Sequence, residues 1–172
     1  MDKIINFYDL KNSYGEFSNF YPSPITIDDI EYPTVEHFYQ SKKFMGDGAS
    51  KESLKYAKII AKQSTPGKAK ILANQKTGGG YKWRIDLNKI ITNYLEKGVK
   101  IRDDWEEVKE EVMYEGLEAK FSQHENLKEV LLSTRGYKLV EHTPRDFYWG
   151  DGGDGTGKNR LGKLLVILRK SI

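Results

Sequence analysis

Residues 33–45 constrain the fold most, because they predict one uninterrupted helix rich in aromatic and charged side chains. The stretch opens with a proline, which suits a first turn, Thr34 can accept hydrogen bonds from free amides, and no Gly or Pro follows until Gly46. Glu36 and Lys43 are almost two turns apart, so they share one helix face with backbones about 10 Å apart. A ligand between their tips would meet a carboxylate and an amine together.

The rest of the chain predicts a single, mostly helical α+β domain with a small β-sheet, spanning residues 1–172. A chain of 172 residues is long enough for one substantial core. Strand-like runs cover residues 4–10 and 138–141, and a hairpin is predicted at 25–32 around two aspartates. Helical periodicity covers residues 53–62, 65–72, 103–121 and 126–133. The apolar segment 161–169 fits either a terminal helix or a buried strand.

Composition excludes several classes of site. The chain has no Cys, so it has no disulfide, no thiolate nucleophile and no Cys-bound metal. Its three His lack metal-ligand spacing, and we expect no metal or other cofactor. A net charge of +3 neither demands nor excludes a nucleic-acid partner. The start lacks a signal-peptide core and no apolar run is long enough to span a bilayer, so we expect a cytoplasmic protein without a membrane partner.

Charged residues at helical spacing usually form a solvated helix face, and this is the alternative interpretation of Glu36 and Lys43. The aromatic neighbours Phe38, Tyr39 and Phe44 favour burial instead. Burial and a nearby cation such as Lys42 would lower the pKa of the Lys43 amine and make it a nucleophile. His37 points about 100° away from Glu36, which favours a hydrogen-bonding role over a catalytic one.

A glycine-rich segment covers residues 149–160. It matches the start of a phosphate-loop pattern, but Asn159 replaces the magnesium-binding Ser or Thr, and Asp151 and Asp154 would repel phosphate. It also fails as a calcium loop, because the acidic residues lack the alternate spacing. A plain surface turn and a ligand-binding loop next to Trp149 both stay open.

Three arginines can contact phosphate or carboxylate through the guanidinium fork, although surface Arg is commoner: Arg102, Arg145 and Arg160. A loose basic run can meet a nucleic-acid backbone or simply form a solvated face: Lys68, Lys70, Lys76 and Lys82, beside Tyr81 and Trp83.

Five motifs, in order over almost the whole chain, together resemble the NADAR family, also called YbiA-like. They are Glu16-Phe17-Ser18-Asn19-Phe20; Pro33-Thr34-Val35-Glu36-His37 leading into Gln40-Ser41-Lys42-Lys43-Phe44; Arg102-Asp103-Asp104-Trp105; Lys120-Phe121-Ser122-Gln123; and Trp149-Gly150 through Gly157-Lys158-Asn159-Arg160-Leu161-Gly162.

The resemblance implies an N-glycosidase that cleaves the bond between a ribose anomeric carbon and a nitrogen. It implies two substrate classes, namely ADP-ribose attached to guanine, in a nucleoside or nucleic acid, and phosphorylated riboflavin-pathway intermediates that carry a ribosylamino-pyrimidine. The motifs assign catalysis to Lys43 and Glu36, and we add Asp151 as a further acid/base candidate. The expected substrate-binding residues are Gly15, Glu16, Asn19, Phe20, Tyr39, Arg145, Trp149, Gly150, Asn159 and Arg160.

We expect removal of ADP-ribose from ADP-ribosylated guanine through a Schiff base on Lys43, with Glu36 moving protons. One alternative is the riboflavin-pathway substrate. A second is a two-carboxylate mechanism in which Glu36 and Asp151 flank the sugar and water attacks directly. A third is a module that binds ADP-ribose or a nucleotide without cleaving it. The sequence does not fix an oligomeric state.

Overall fold

The computed structural model describes residues 3–172, which form seven α-helices, one 3₁₀ turn and four short strands. In chain order the elements are β1 (Lys3–Phe7), the 3₁₀ turn (Gly15–Phe17), β2 (Ile25–Ile27), β3 (Ile30–Tyr32), α1 (Val35–Lys42), α2 (Lys51–Ala61), α3 (Pro66–Ala73), α4 (Lys82–Glu96), α5 (Trp105–Gln123), α6 (Glu125–Ser133), β4 (Tyr137–Glu141) and α7 (Arg160–Ser171). The predicted mostly helical α+β class is confirmed.

The strands form two separate pairs. The hairpin β2–β3 is antiparallel, and Asp28 and Asp29 turn it with φ of 50° and 61°, as a two-residue hairpin loop requires. Strands β1 and β4 are parallel, with Phe7 opposite Glu141. Parallel strands end at the same edge, so the chain leaves both of them side by side. That edge becomes one wall of the site described below.

Helix α1 is the central element. Every residue from Val35 to Ser41 is buried, so this short helix has no solvated face. One hydrophobic cluster packs α1 with α5, α7 and the strands. A second cluster, formed by α2, α3 and α4, packs against the other side. The charged residue Glu36 of α1 is therefore held inside the molecule.

Thr34 and His37, at the start of α1, form local hydrogen bonds. Thr34 caps the helix by accepting from the His37 amide, and its hydroxyl donates to His37 Nδ1 at 2.9 Å. His37 Nε2 then donates to the carbonyl of Gln63 at 3.0 Å, which fixes a neutral tautomer. Burial also lowers the pKa of His37. The hydrogen-bonding role predicted for this residue agrees with these contacts.

Two glycines allow close approach between elements. A side chain at Gly116 of α5 would begin 2.9 Å from the ring of Phe38 on α1. At Gly162 of α7 it would begin 2.1 Å from the backbone oxygen of Leu139 in β4. Both distances are below van der Waals contact, so these helices pack at their observed spacing only where the side chain is absent.

Two elements differ from the sequence prediction, and a third resolves an alternative that the sequence left open. Helix α4 (Lys82–Glu96) was not predicted, although its buried residues Leu87, Ile91 and Tyr94 follow helical spacing. Residues 161–169 form a helix, because α7 packs one apolar face on β4 and α5. Strand β1 ends at Phe7, whereas the predicted strand continued to residue 10. Residues 8–10 instead line the cavity described below.

No helix among residues 3–172 has the length and apolarity needed to cross a bilayer.

Candidate active site

A cavity of about 570 Å³ lies where α1 meets the shared edge of β1 and β4. Its walls are the segments after the two strands, the turn after the 3₁₀ element, one face of α1, the end of α3, and single residues of α5 and the 143–149 loop. The lining consists of Tyr8, Asp9, Leu10, Ser18, Asn19, Phe20, Glu36, Tyr39, Gln40, Lys43, Lys70, Asn74, Met113, Glu141, Thr143, Arg145, Asp146 and Trp149.

Lys43 is the C-cap residue of α1 and forms part of the cavity lining. Its Nζ lies 5.8 Å from the ring centre of Tyr39 and 5.7 Å from that of Trp105, and the residue is only 9% exposed. The backbone of Lys43 accepts a hydrogen bond from the Arg102 amide at 2.8 Å, which ties the helix end to the segment carrying Trp105. The amine is therefore held among aromatic faces rather than in solvent.

Burial is the main reason why the pKa of Lys43 falls to about 8. The carboxylate of Glu36 raises it, and the cation of Lys70 lowers it further. Lys42, the cation expected from the sequence, instead lies 4.0 Å from Asp28 and 3.8 Å from Glu115. The neighbouring positive charge thus comes from α3, which no sequence spacing indicated.

Glu36 is 5% exposed and shares the cavity with Lys43. Burial raises the pKa of its carboxyl group, while the charges of Lys70 and Lys43 and a 2.8 Å hydrogen bond donated by Gln40 Nε2 oppose that shift. The Glu36 amide donates to the carbonyl of Asn19 at 3.1 Å, which joins the start of α1 to the turn at residues 18–20.

Two amide oxygens in the lining are buried and have no hydrogen-bond partner within residues 3–172: Asn19 Oδ1 and Gln40 Oε1. The nitrogens of the same side chains are used, because Asn19 Nδ2 donates to Met113 Sδ and Gln40 Nε2 to Glu36. Buried acceptors without partners are rare and costly. Donors on a bound molecule, such as sugar hydroxyls or N–H groups of a base, would satisfy them.

Aromatic rings and cations shape the rest of the cavity. Tyr39 sits edge-on between Trp105 and Trp149, at centroid distances of 5.0 and 5.6 Å. Lys70 and Arg145 are exposed in the lining and form no ion pair within the described residues. Stacking surfaces and free cations are the features that bind bases and phosphates.

The predicted site residues divide into two groups. The cavity brings together Glu36, Lys43, Asn19, Phe20, Tyr39, Arg145 and Trp149. Six others are absent from its lining: Gly15, Glu16, Asp151, Gly150, Asn159 and Arg160.

The six outlying residues make contacts that hold the walls. Gly15 packs against the backbone of Leu10, where a side chain would begin 2.6 Å from the carbonyl oxygen, and the carbonyl of Glu16 accepts a hydrogen bond from Lys120 Nζ at 2.5 Å. Arg160 pairs through two nitrogens with Glu110. These residues therefore face protein groups.

Asp151 is turned into its own loop. Its carboxylate accepts from His142 Nδ1 at 2.8 Å and from the amides of Gly153 and Thr143 at 2.9 and 3.2 Å. The net effect lowers its pKa, with the bond from His142 the largest of the contributions that oppose burial. Such a carboxylate stays ionised and engaged.

Several polar residues of the cavity were not predicted to belong to it, among them Lys70, Asn74, Glu141 and Asp146. The only available signal was the position of Glu141 at the end of a predicted strand, because strand ends gather chemistry when the strands are parallel. The tertiary fold decides that this strand pairs in parallel with β1. The paired residues lie 134 positions apart in the sequence. No group of three or more His, Cys, Asp or Glu placed to hold a metal ion occurs within residues 3–172.

Comparison with known proteins identifies the family. Residues 6–172 match the NADAR domain. This chain belongs to the NADAR family. It is 41% identical to the N-glycosidase YbiA of Escherichia coli over 171 residues, which cover 99% of this chain and 89% of that protein. The NMR structure of YbiA superimposes with a TM-score of 0.76, covering 99% of this chain and 84% of the other.

Two further relatives extend the comparison. The NADAR chain is 36% identical to an N-glycosidase of Nostoc punctiforme, covering 98% of this chain and 92% of that protein. It is also 37% identical to a chloroplastic riboflavin biosynthesis protein, PYRR, of Zea mays, but spans only 25% of that longer protein. The resemblance seen in the five motifs is confirmed, and the chain is an enzyme of the N-glycosidase class, a hydrolase.

Proposed function

We propose that this NADAR enzyme releases an amino base from an N-ribosylated substrate through an imine on Lys43. The observation that carries the proposal is the placement of the Lys43 amine, which is buried among aromatic rings beside Glu36 in a cavity large enough for a nucleotide. An amine with a pKa of about 8 is neutral in roughly one molecule in five at pH 7.4, a far larger fraction than for an ordinary lysine. Only the neutral amine attacks carbon, so burial has activated the nucleophile.

The chemistry needs a glycosidic nitrogen that can lend its lone pair. Such a nitrogen opens the ribose ring and leaves C1′ as an iminium carbon. The neutral Lys43 amine adds to C1′, the bond to the base nitrogen breaks, and a Lys43–C1′ imine forms. Water then adds to the imine and releases the sugar as its aldehyde, which restores the amine.

Glu36 accepts the proton that Lys43 loses on attack. Its carboxyl group lies on the same helix face, and burial raises its pKa toward the range where a carboxyl group exchanges protons efficiently. Asn19 Oδ1 and Gln40 Oε1 accept hydrogen bonds from sugar hydroxyls or from N–H groups of the base. The same cavity therefore supplies nucleophile, base and orienting acceptors.

For the substrate, we favour ADP-ribosylated guanine. The cavity extends beyond the Lys43–Glu36 pair to the free cations Lys70 and Arg145 and to the aromatic rim formed by Tyr8 and Phe20. A diphosphate and a second base would fill that extension. A substrate with one phosphate and one small base leaves part of it unused.

The second candidate is a phosphorylated ribosylamino-pyrimidine of the riboflavin pathway. It is favoured by the name of the relative PYRR, a riboflavin biosynthesis protein. This chain covers a quarter of PYRR, so that name describes a longer protein of which this chain matches only a part. Both substrates share an amino-linked ribose and a phosphate, so the same Lys43 chemistry applies to each.

The deciding experiment offers both substrate classes to the protein with sodium borohydride present. We expect a mass adduct of the reduced sugar on Lys43, found by peptide mapping, and release of free base. The variant Lys43→Arg keeps the charge but should form no adduct and lose at least 10³-fold in turnover, because the guanidinium stays protonated. Full activity of Lys43→Arg without any adduct would instead establish direct attack by water.

A further inference from the structure

Glu141 is a half-buried residue of the cavity lining whose carboxyl group the proposed mechanism does not yet use. It is the last residue of β4, and its side chain forms part of the lining. Its Oε2 is buried and finds no hydrogen-bond partner in the described part of the chain. A carboxyl group that belongs to a lining residue and has an unpartnered oxygen is a candidate to exchange a proton with a bound molecule.

Three residues that lie outside the cavity converge on the backbone of Glu141. Asn159 Oδ1 accepts from its amide at 3.0 Å, and Asn159 Nδ2 donates to the Leu139 carbonyl at 2.8 Å. The Asp151 amide donates to the Glu141 carbonyl at 2.9 Å. A side chain at Gly150 would begin 2.9 Å from that same carbonyl oxygen. The glycine-rich loop thus fixes the position of this strand end.

The charges around Glu141 favour its protonated form. Burial is the largest cause that raises its pKa to about 8, and the carboxylates of Asp146, Glu36 and Asp151 raise it too. Lys70 is the facing cation that lowers it. At neutral pH the side chain therefore carries a proton that it can give away.

We propose that Glu141 is the acid that protonates the departing amino nitrogen of the base, and that Asn159, Asp151 and Gly150 position it. The inference rests on the proposed Lys43 mechanism. As Lys43 bonds to C1′, the bond from C1′ to the base nitrogen breaks, and its electron pair takes the Glu141 proton. The base leaves as a neutral amine and Glu141 becomes a carboxylate. When water adds to the imine, that carboxylate takes a proton from it and is ready again.

This assignment separates two proton transfers. Glu36 stands next to the nucleophile on α1, whereas Glu141 belongs to β4 on another wall of the cavity. Two carboxyl groups in one low-dielectric site hold different protonation states when their charges interact. One is then suited to accept a proton and the other to donate one.

The test is a series of N-ribosyl anilines whose ring substituents change the basicity of the leaving amine. For the wild-type enzyme we expect turnover to depend weakly on that basicity, because the acid assists departure. For Glu141→Gln we expect a loss of about 10²- to 10³-fold on the most basic aniline and nearly wild-type turnover on a nitroaniline. Equal losses across the series would overturn the proposal.

The pH profile gives a second readout. Deprotonation of the acid should impose an alkaline limb on kcat/KM, and Glu141→Gln should remove it. The matched control is Glu115→Gln, which changes a carboxyl group of α5 outside the cavity lining and should keep both limb and turnover. Retention of the alkaline limb in Glu141→Gln would assign it to another group and contradict the inference.

If Glu141→Gln folds poorly, the protonation state of the acid can be measured directly in the wild-type enzyme. Difference infrared spectra of the wild-type enzyme from pH 6 to 10 should show loss of a protonated carboxyl band with a midpoint near pH 8. Isotope-labelled glutamate assigns the band to Glu. A site with every labelled Glu ionised at pH 6 would exclude the acid.

Asn159 tests the positioning role. Asn159→Asp keeps an oxygen that accepts from the Glu141 amide, whereas Asn159→Ala does not. We expect Asn159→Ala to steepen the dependence on leaving-group basicity, and Asn159→Asp to restore most of the wild-type dependence. A purely structural role would lower stability in both and leave this dependence unchanged.

The two proposals fail in different ways. A wild-type enzyme that shows no borohydride adduct on Lys43 and no base release would refute the proposed function, and the inference with it. A wild-type enzyme that forms the adduct, combined with a Glu141→Gln variant that cleaves every aniline normally, would refute only the role of Glu141.

Discussion

At the scale of single residues, the candidate site contains ordinary titratable groups whose pKa values are shifted far from their usual range. The pKa of the Lys43 amine, at the C-terminal end of α1, and the pKa of the Glu141 carboxyl group, at the end of β4, are both shifted to about 8, each mainly by burial. Two charged neighbours are common to both groups, Glu36 and Lys70. The carboxylate of Glu36 raises both pKa values, whereas the cation of Lys70 lowers both and so brings the amine closer to its neutral form.

Replacement of Lys70 by Met should shift both limbs of the bell-shaped pH profile of kcat/KM toward higher pH. Removing the cation lets the pKa of Lys43 and that of Glu141 rise together, by roughly 0.3 pH units for a charge about 10 Å away in a wet site. Kinetics from pH 6 to 10 would measure it. Lys68→Met, on the same helix and bonded to Ser64, is the control and should not shift the bell. A shift toward lower pH would contradict the argument.

At the scale of elements, the packing of α7 on β4 fixes the position of the cavity wall that contains Glu141. Helix α7 begins after Asn159, and its Gly162 lies against the backbone of Leu139. The contact involves backbone atoms, which cannot rotate away. The helix therefore fixes the strand, and the strand fixes Glu141.

Gly162→Ala should destabilise the protein strongly. Its new methyl group meets the Leu139 carbonyl, and overpacking of this kind typically costs about 1–3 kcal/mol. Gly67→Ala is the control, since Gly67 also lies in a helix but has nothing within 4 Å of its missing side chain. We expect that control to be neutral or slightly stabilising. Urea unfolding of both variants gives the comparison, and equal midpoints would show that the elements can separate freely.

The element boundaries show how far sequence patterns reach. The helix around Glu36 was predictable because Thr34 caps it and no Gly or Pro interrupts it before Gly46. Helix α4 was not predicted, since its cap residue Tyr81 makes no side-chain cap bond and three glycines precede it. Capping residues therefore allow a helix to be predicted from sequence only when they are present at its ends.

At the scale of the whole molecule, buried lysines make stability depend on pH. Lys120 is fully buried and donates to the carbonyls of Glu16 and Ser18 at 2.5 and 3.0 Å. Burial lowers its pKa to about 7. The unfolded chain, with an ordinary lysine, binds more protons between that value and 10.5, so stability rises with pH across this window.

From pH 8 to 9.5 the free energy of unfolding should therefore rise. Below pH 8 the raised pKa of Glu141 works in the opposite direction, which sets the lower bound of a clean measurement. Lys120 alone contributes up to about 2 kcal/mol over that interval, at 1.4 kcal/mol per pH unit. Urea titrations at both pH values report it.

Lys120→Met should remove the part of the increase in unfolding free energy between pH 8 and 9.5 that comes from Lys120. It should also lower stability at pH 8 by about 1–3 kcal/mol, because two buried carbonyls lose their donor. Lys163→Met, at an exposed position of α7, is the control and should leave the pH dependence unchanged. A rise that survives intact in Lys120→Met would show that the buried amine keeps its charge without cost.

The sequence by itself determined the helical character of the chain, the hairpin at Asp28–Asp29, the absence of any thiol chemistry and the pairing of Glu36 with Lys43 on one helix face. Each depends on spacing within a few residues, and spacing within one element is fixed by backbone geometry. The same five motifs also predicted the NADAR family, because several patterns in one order constrain a chain far more than one does.

Only the tertiary structure decided which polar groups meet. Lys70 comes from α3, Trp105 from the start of α5 and Glu141 from the end of a strand paired with the N-terminal one. It also decided that Asp151 and Asn159 hold a wall instead of lining it. Local spacing carries no information about contacts between residues a hundred positions apart, and burial, which shifts the pKa values, arises only when those distant elements pack together.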